Sequence, residues 1–302
     1  MLFSDLQTCT PEEQAAIEYL AQAEIIRGTG DGKYNPDGLV TRKHMALYLH
    51  RTLNWEALAA DEHLDSSVLL FTAYGAGGSG WWRAPRVIGT NQHVPLGIHS
   101  DNNGTTTIEY RDLLCAANGA MVRWDSSPDT TQPMFPVVWD RLDKRDIAYL
   151  VVPVAQWEEY LTKRVLAGLP REPRYIVPAE GREPINGEKV MTCGCPLVRY
   201  DFSIDSGIIS KLHIERGTNE DSILYASTSA AINPGNSGGI CLSVDRKFLG
   251  IPSLKPYYGN PLSGGYVPAD NIGEILTAQE IVKWERRGGQ QVVFRSLGVT
   301  VE

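Results

Sequence analysis

Residues 228–239 read Thr-Ser-Ala-Ala-Ile-Asn-Pro-Gly-Asn-Ser-Gly-Gly, and the fold prediction begins from them. Its glycines favour a tight bend that exposes the hydroxyl of Ser237. A serine hydroxyl becomes a nucleophile when it has an adjacent base and when N–H groups face the charge that develops on a substrate oxygen. We expect the bend at Gly235, Asn236 and Ser237 to present such N–H groups. A plain surface turn uses the same residue types, so the stretch alone leaves both interpretations open.

Two upstream segments favour the chemical interpretation. Residues 90–94 read Thr-Asn-Gln-His-Val, and Asp146 directly precedes the apolar run Ile-Ala-Tyr-Leu-Val-Val. A histidine, an aspartate and a serine in this chain order match one of the known orders of a catalytic triad. Together with Gly78-Ser79-Gly80, these motifs resemble the trypsin-like peptidase superfamily, and most closely its Deg/HtrA branch.

The resemblance implies a serine endopeptidase mechanism. His93 would accept the Ser237 proton as the hydroxyl attacks a peptide carbonyl, and Asp146 would hold the histidine tautomer. The glycine-rich bend would then be the oxyanion hole. The sequence also offers other candidates for the acid and the base, namely Asp140, Asp143, His99 and His213. The motif settings favour Asp146 and His93.

The same resemblance predicts the primary specificity pocket. The residue six positions before the nucleophile would lie at its base, and here that residue is Ala231. Because no carboxylate stands there, a substrate Arg or Lys side chain would be buried without a counter-charge. We therefore expect small or medium apolar residues on the amino side of the cleaved bond (P1). Ser253, Lys255 and Gly264 would line the walls, with Ser253 also supporting Asp146.

Composition excludes several classes of function. The chain has 302 residues, with 28 basic and 36 acidic side chains and a net charge of −8. A nucleic-acid partner would need a basic face, so none is expected. No apolar run approaches the roughly 18 residues of a membrane span, and the first residues lack the basic-then-apolar start of a signal peptide. We expect no membrane span, no cofactor and no metal.

The cysteines predict no disulfide framework, because the five of them are an odd number and are scattered along the chain. Cys193 and Cys195 are close in sequence, but two thiols at i and i+2 of a strand cannot close an unstrained disulfide. No further cysteine or histidine cluster completes a zinc site beside them. We expect buried free thiols.

The first 54 residues predict a helix-loop-helix unit. Thr10-Pro11-Glu12-Glu13 combines a capping threonine, a proline and a glutamate typical of a helix start. The helix should reach about Ala23. A glycine-rich loop follows over residues 25–38, and a second helix begins near Val40.

This unit resembles a single S-layer homology (SLH) module. The segments that carry the resemblance are Phe3–Asp5, Ile25–Gly28, Gly30–Pro36 and Val40–Arg42. The family binds cell-wall glycopolymers through the arginine of a Thr-Arg-Ala-Glu motif, which Arg42 matches while Lys43 and His44 depart from it. Such modules usually occur in threes, so a homotrimer would rebuild the binding head. A packing or interaction role for the single module is the alternative.

The rest of the chain has short apolar segments separated by Gly, Pro, Asn and Asp turns, which is typical of all-β proteins. We predict a mainly β fold, a chymotrypsin-like double β-barrel preceded by a small helical SLH domain. The boundaries are 1–54 for the SLH-like module, 55–66 for a linker, 67–280 for the peptidase domain and 281–302 for a helix end and a strand-like tail. Thr106–Tyr110 is expected in the first barrel, and a helix is expected from Asn271.

Two functions from different classes remain. The first is a serine endopeptidase that cleaves protein substrates and is held at the cell envelope or outside the cell by the SLH-like module. The second is a structural or adhesive protein of an envelope or phage particle, in which the peptidase fold is a scaffold. The presence of all three triad residue types favours the first. A cytoplasmic or virion location stays open, since no signal peptide is visible.

Overall fold

The computed structural model describes residues 3–22, 26–29, 31–36, 64–71, 77–100, 106–110, 114–117, 122–124, 137–138, 145–195, 202–215, 222–254, 257–259, 266–268 and 273–287. The second helix predicted from Val40 and the strand-like tail after residue 287 lie outside these residues. The chain divides into two compact units, one of residues 1–61 with 244–246 and the other of residues 62–243 with 247–302.

The described helix of the first unit is α1 (Pro11–Gln22). Its start has the predicted capping arrangement. The Thr10 backbone N–H donates to Glu13 Oε2 at 2.8 Å, and the Glu13 backbone N–H donates to Thr10 Oγ1 at 3.3 Å. These reciprocal bonds satisfy N–H groups that the first turn of a helix leaves unpaired. The predicted helix start is therefore confirmed.

Asp5 ties the beginning of the first unit to its loop. The Asp5 carboxylate accepts the backbone N–H groups of Tyr34 at 2.8 Å and Asn35 at 2.7 Å. Beside it, Ile26 is buried and packs with Tyr34 and the apolar face of α1. A single carboxylate thus fixes where the loop turns back onto the chain start.

The second unit begins with a large antiparallel sheet and a separate hairpin. The strands are β1 (Ser67–Phe71), β2 (Gly77–Ala84), β3 (Val87–Thr90), β4 (Leu96–Ser100), β5 (Thr106–Tyr110), β6 (Leu114–Ala117), β7 (Val122–Trp124), β8 (Val137–Val138) and β9 (Ala148–Val151). Over the described ranges, the sheet order is β7-β6-β1-β2-β3-β9-β8. Thr106–Tyr110 is a strand, as predicted. Its described partner is β4, with which it forms a separate two-stranded sheet and not part of the seven-stranded one.

The second half of this unit closes into a barrel. Its elements are α2 (Val154–Leu166), a 3-10 turn (Pro178–Glu180), β10 (Lys189–Gly194), β11 (Ser203–Glu215), β12 (Ile223–Thr228), β13 (Ile240–Ser243), β14 (Phe248–Leu254), β15 (Tyr257–Gly259), β16 (Tyr266–Pro268), β17 (Gly273–Thr277) and α3 (Ala278–Arg286). The closed barrel runs β10-β11-β12-β17-β14-β13, while β15 and β16 form a hairpin. The predicted mainly β fold class is confirmed.

The predicted start of the last described helix, at Asn271, is too early. Gly273–Thr277 is strand β17, which pairs with β12 and β14 inside the barrel, and the helix starts only at Ala278. Ile275 and Leu276 are both buried and belong to different apolar clusters. A short apolar run of this kind does not distinguish a buried strand from a helix turn. The predicted domain boundary at residue 280 also falls inside α3.

Helix α2 was not predicted, although its apolar residues recur at helical spacing. Trp157 and Tyr160 pack on Trp82 of the sheet, with ring centroids 4.9 and 5.3 Å from it. Arg164 is buried and donates to Asp65 Oδ1 at 2.7 Å. Asp65 was assigned to the linker, but this bond makes it part of the second unit.

An apolar cluster joins the sheet, the barrel and α3. Trp81, Tyr149, Phe248 and Trp284 are nearly or fully buried in it. Tyr149 forms T-shaped ring contacts with Trp81 and Trp284, with centroid distances of 5.9 and 5.0 Å. Because Tyr149 lies in β9, this packing fixes the strand that follows Asp146.

Candidate active site

His93 and Asp146 meet at one end of two paired strands. His93 lies in the turn after β3, and Asp146 lies just before β9. These strands run antiparallel with Thr90 opposite Ala148, so their ends bring the two side chains together. His93 Nδ1 lies 2.7 Å from Asp146 Oδ2. The His93 backbone N–H also donates to Asp146 Oδ1 at 3.1 Å.

The Asp146 carboxylate is held by a further residue from the barrel. Ser253 in β14 donates its hydroxyl proton to Asp146 Oδ2 at 2.9 Å. Asn91 donates from Nδ2 to the main-chain oxygen of Asp146 at 2.7 Å. The carboxylate is thus fixed in orientation while the His93 side chain stays 47% exposed. This leaves a rigid acid behind an accessible imidazole.

Ser237 lies in a loop of two consecutive turns. The Asn236 N–H donates to the Asn233 carbonyl at 2.9 Å, and the Gly239 N–H donates to the Asn236 carbonyl at 3.0 Å. Gly235 and Gly238, the third residues of these turns, have φ values of 102° and 79°. Positive φ at this position is the mark of a type II turn, which favours glycine there.

The turns place Ser237 against the histidine segment. A Cβ added to Gly238 would lie 2.3 Å from Thr90 Oγ1 and 2.8 Å from the Asn91 nitrogen. The Gly238 N–H donates to the Pro252 carbonyl at 2.9 Å, next to Ser253. The nucleophile candidate therefore neighbours both the segment that leads to His93 and the strand that supports Asp146.

The bend presents backbone donors. Over the described residues, the N–H groups of Gly235 and Ser237 donate to no protein acceptor. Gly235 and Asn236 are buried, and Ser237 is partly exposed. Backbone N–H groups that have no intramolecular acceptor can bind an oxygen that carries negative charge.

The predicted pocket residues are only partly described. Ala231 is exposed, and its carbonyl accepts a bond from Asn236 Nδ2 at 3.1 Å. Lys255, Gly264 and the SLH residue Arg42 lie outside the described residues. Of the other base candidates, His213 stands in β11, stacked on Tyr225 and 3.4 Å from Glu274. Asp140 and Asp143 also lie outside the described part of the chain.

Sequence reasoning missed two residues of the site. Both are buried. Asn91 bonds to the main chain of Asp146, and Ser79 bonds to the main chain of Gly235 in the bend that carries Ser237. Each stands beside a motif residue, but a contact between segments more than 50 positions apart gives no local signal. Within the described ranges, no helix has the length and apolar character to span a bilayer.

Two family models match the chain. The one described as the trypsin-like peptidase domain matches residues 78–251, and the one described as the S-layer homology domain matches residues 2–46. The second match indicates association with a cell envelope or surface.

Several curated relatives are similar to part of the chain. Serine protease Do-like HtrB of Bacillus subtilis is 37% identical over 98 residues, which cover 30% of this chain and 21% of the relative. Serine protease Do-like HtrA of the same organism is 43% identical over 103 residues, 32% of this chain and 22% of the relative. Human serine protease HTRA3 is 32% identical over 107 residues, 33% of this chain and 23% of the relative. The similarity thus spans about a fifth of each relative.

The peptidase match covers more than half of the chain and includes the strands and loops that carry His93, Asp146 and Ser237. The protein belongs to the trypsin-like peptidase family.

Proposed function

We propose that this protein is a serine endopeptidase whose triad is His93, Asp146 and Ser237. The observation that carries the proposal is the Asp146 carboxylate, which bonds to the His93 imidazole at 2.7 Å and is held from behind by Ser253. A fixed carboxylate selects the tautomer that leaves the far imidazole nitrogen free to accept a proton.

In the proposed reaction, His93 Nε2 takes the Ser237 hydroxyl proton as Oγ attacks the peptide carbonyl carbon. His93 then gives this proton to the leaving amine as the C–N bond breaks, which leaves an acyl group on Ser237. Water attacks the acyl carbon with His93 again as base, and the serine hydroxyl is restored. Asp146 stabilises the imidazolium in both steps and keeps its own charge.

The N–H groups of Gly235 and Ser237 would receive the oxyanion of each tetrahedral intermediate. Two observations support this role. Neither N–H donates to an acceptor within the described residues, and Gly235 has the φ of a type II turn. Donors that are already oriented cost no rearrangement when the charge appears. Asn236 contributes by closing the turn with its own N–H.

The proposal is tested by covalent labelling with a fluorophosphonate probe, followed by peptide mapping. We expect labelling at Ser237 that is lost in Ser237→Ala. The matched control is Ser229→Ala, eight residues earlier, which should label like the wild type. Absence of label on the wild-type protein would contradict the peptidase assignment and favour the structural or adhesive alternative.

We further propose cleavage after small or medium apolar residues. The support is Ala231 at the expected base of the pocket, where no carboxylate is available for a basic side chain. A peptide library with varied P1 residues tests this, together with Ala231→Asp. Preference for Arg or Lys at P1 by the wild-type protein would overturn it.

We also propose that the SLH domain brings the peptidase to a cell-wall glycopolymer through Arg42, with three chains forming one binding head. The match to the S-layer homology domain over residues 2–46, which include Arg42, supports the wall-binding role, and the single copy of the module motivates the trimer. Pull-down on purified cell walls should fall with Arg42→Ala and not with Arg171→Ala, an equal charge change at an exposed ion pair of the other unit. Sedimentation of the full chain as a monomer would contradict the trimer.

A further inference from the structure

We infer that Ser79 is a positioning residue whose hydroxyl holds the oxyanion-binding bend in its productive shape. This inference rests on the proposed peptidase function. Ser79 lies in β2, 156 residues before the bend in sequence, and is 1% exposed. Its hydroxyl, its N–H and its carbonyl all bond to segments of the site.

The hydroxyl has one proton, and its direction is determined by its two partners. The backbone N–H of Cys195 donates to Ser79 Oγ at 2.8 Å. An N–H can only donate, so the Ser79 proton must go to the other partner, the Gly235 carbonyl oxygen at 2.7 Å. The Ser79 hydroxyl therefore links Cys195, just after β10, to Gly235, and its proton has one defined direction.

The bond fixes the peptide plane between Gly235 and Asn236 at both ends. Ser79 holds the carbonyl oxygen of that plane, and the Asn233 carbonyl holds its N–H at 2.9 Å. A glycine rotates easily about φ and ψ, so the preceding peptide can otherwise turn over and point the Gly235 N–H away from the site. Locking the following plane restricts that rotation.

The backbone of Ser79 holds the nucleophile as well. Its N–H donates to the Ser237 carbonyl at 2.7 Å, and its own carbonyl accepts the Thr90 hydroxyl at 2.7 Å. These bonds survive substitution of the side chain. Removing the hydroxyl alone should thus loosen the Gly235 N–H while Ser237 and the histidine segment stay in place.

The Ser79 hydroxyl is closely surrounded by other atoms, which disfavours its replacement by water. A Cβ added to Gly194 would stand 3.0 Å from Ser79 Oγ and 2.9 Å from Asn236 Cα, so the surrounding atoms are already in close contact. The cavity left by a single oxygen atom is smaller than a water needs. In Ser79→Ala, the Gly235 carbonyl loses the hydroxyl that donates to it, and the Cys195 N–H loses the oxygen that accepts from it. We expect the backbone of the bend to shift, because a buried carbonyl that loses its donor is costly.

The test compares Ser79→Ala with Ser243→Ala. Ser243 is a matched control because its buried hydroxyl also donates to one backbone carbonyl and accepts one backbone N–H, both of Lys247, in the β13–β14 connection. For a peptide substrate, we expect Ser79→Ala to lower kcat about 10- to 100-fold, with KM within about twofold. This is less than the about 10²–10³ lost when an oxyanion donor itself is removed.

A second readout separates positioning from general damage. A peptidyl trifluoromethyl ketone adds to Ser237 and places its oxyanion in the bend, so its affinity should fall by the same factor as kcat. Ser79→Cys, which keeps a weak donor of similar shape, should show an intermediate loss. Both variants should unfold in the same temperature range as Ser243→Ala.

Three results would overturn the inference. If Ser79→Ala matches Ser243→Ala in kcat and in ketone affinity, the hydroxyl does not position the bend while the peptidase assignment stands. If Ser79→Ala changes only KM, the residue acts on substrate binding. If the wild-type protein neither cleaves peptides nor takes the fluorophosphonate label, the proposed function falls and the inference falls with it.

Discussion

Arg145 and Glu280 form a buried ion pair directly behind the proposed catalytic acid. Arg145 Nε and Nη2 both lie 2.7 Å from Glu280 Oε2, with side-chain exposures of 2% and 1%. Glu280 lies in α3, and Arg145 directly precedes Asp146. Helix α3 therefore anchors the segment that carries the proposed acid, and it also contributes Trp284 to the apolar cluster.

Removing this anchor should be costly. In Glu280→Ala, the buried Arg145 guanidinium loses its two charged hydrogen bonds to Glu280, so we expect a loss of about 3–5 kcal/mol in the free energy of unfolding. Denaturant titration measures it. The control is Glu159→Ala, which breaks an exposed pair with Lys163 and should change stability by less than about 0.5 kcal/mol. Equal effects of the two variants would contradict the anchoring role.

The acid itself is tested by Asp146→Asn. The amide keeps the shape but cannot hold the imidazole tautomer as the carboxylate does, so kcat should fall by about 10⁴, as in other Ser-His-Asp triads. Steady-state peptide hydrolysis measures this loss. Glu158→Gln, at an exposed pair with Arg171, is the charge-matched control and should leave kcat unchanged. Retention of more than a tenth of the activity in Asp146→Asn would argue for another acid.

The buried cysteines should be unreactive in the folded protein. Burial raises the pKa of the Cys193 thiol to about 12, and it also raises the pKa of Cys241. The thiolate is the reactive form, so at pH 8 both thiols stay protonated as well as enclosed. Iodoacetamide followed by peptide mapping should modify partly exposed Cys9 and leave these two unmodified until denaturant is added. Rapid modification of Cys193 in the native protein would show that the barrel opens.

The first unit should lose stability in acid. Backbone N–H donation, first from Tyr34, lowers the pKa of Asp5 from its ordinary value, and bonds from Thr10 lower the pKa of Glu13. A lowered folded-state pKa stabilises the fold above the unfolded value, and this contribution disappears as the pH falls through the folded value. Circular dichroism of α1 between pH 6 and pH 2 should show a transition that moves to higher pH in Asp5→Asn. A transition unchanged by the substitution would contradict the role of Asp5.

Local sequence signals predicted some elements well. The capping residues Thr10 and Glu13 gave the start of α1, because the bonds that stabilise a helix start lie within one turn. Gly235 and Gly238 indicated the bend for the same reason, since the φ values of a type II turn require glycine locally. The motif settings of His93 and Asp146 also located the pair that the structure joins at 2.7 Å.

Other features depended on contacts across the chain. Gly273–Thr277 is a strand because β12 and β14 flank it in a closed barrel, and its own residues do not distinguish that outcome from a helix. Asp65 belongs to the second unit because it accepts a hydrogen bond from Arg164. That residue is 99 positions away in sequence, so the contact leaves no local signal. Ser79 reads as a small residue between glycines, and its bond to Gly235 becomes visible only in the fold.

Trapping the acyl group on Ser237 tests the proposed triad itself. The protein is mixed with an activated nitrophenyl ester of a peptide with a small apolar P1 residue, quenched in acid and analysed by mass spectrometry. We predict a burst of nitrophenol and one acyl group on Ser237, both abolished in His93→Ala. Hydrolysis without an adduct on Ser237, or an adduct that forms equally fast in His93→Ala, would contradict the proposed triad.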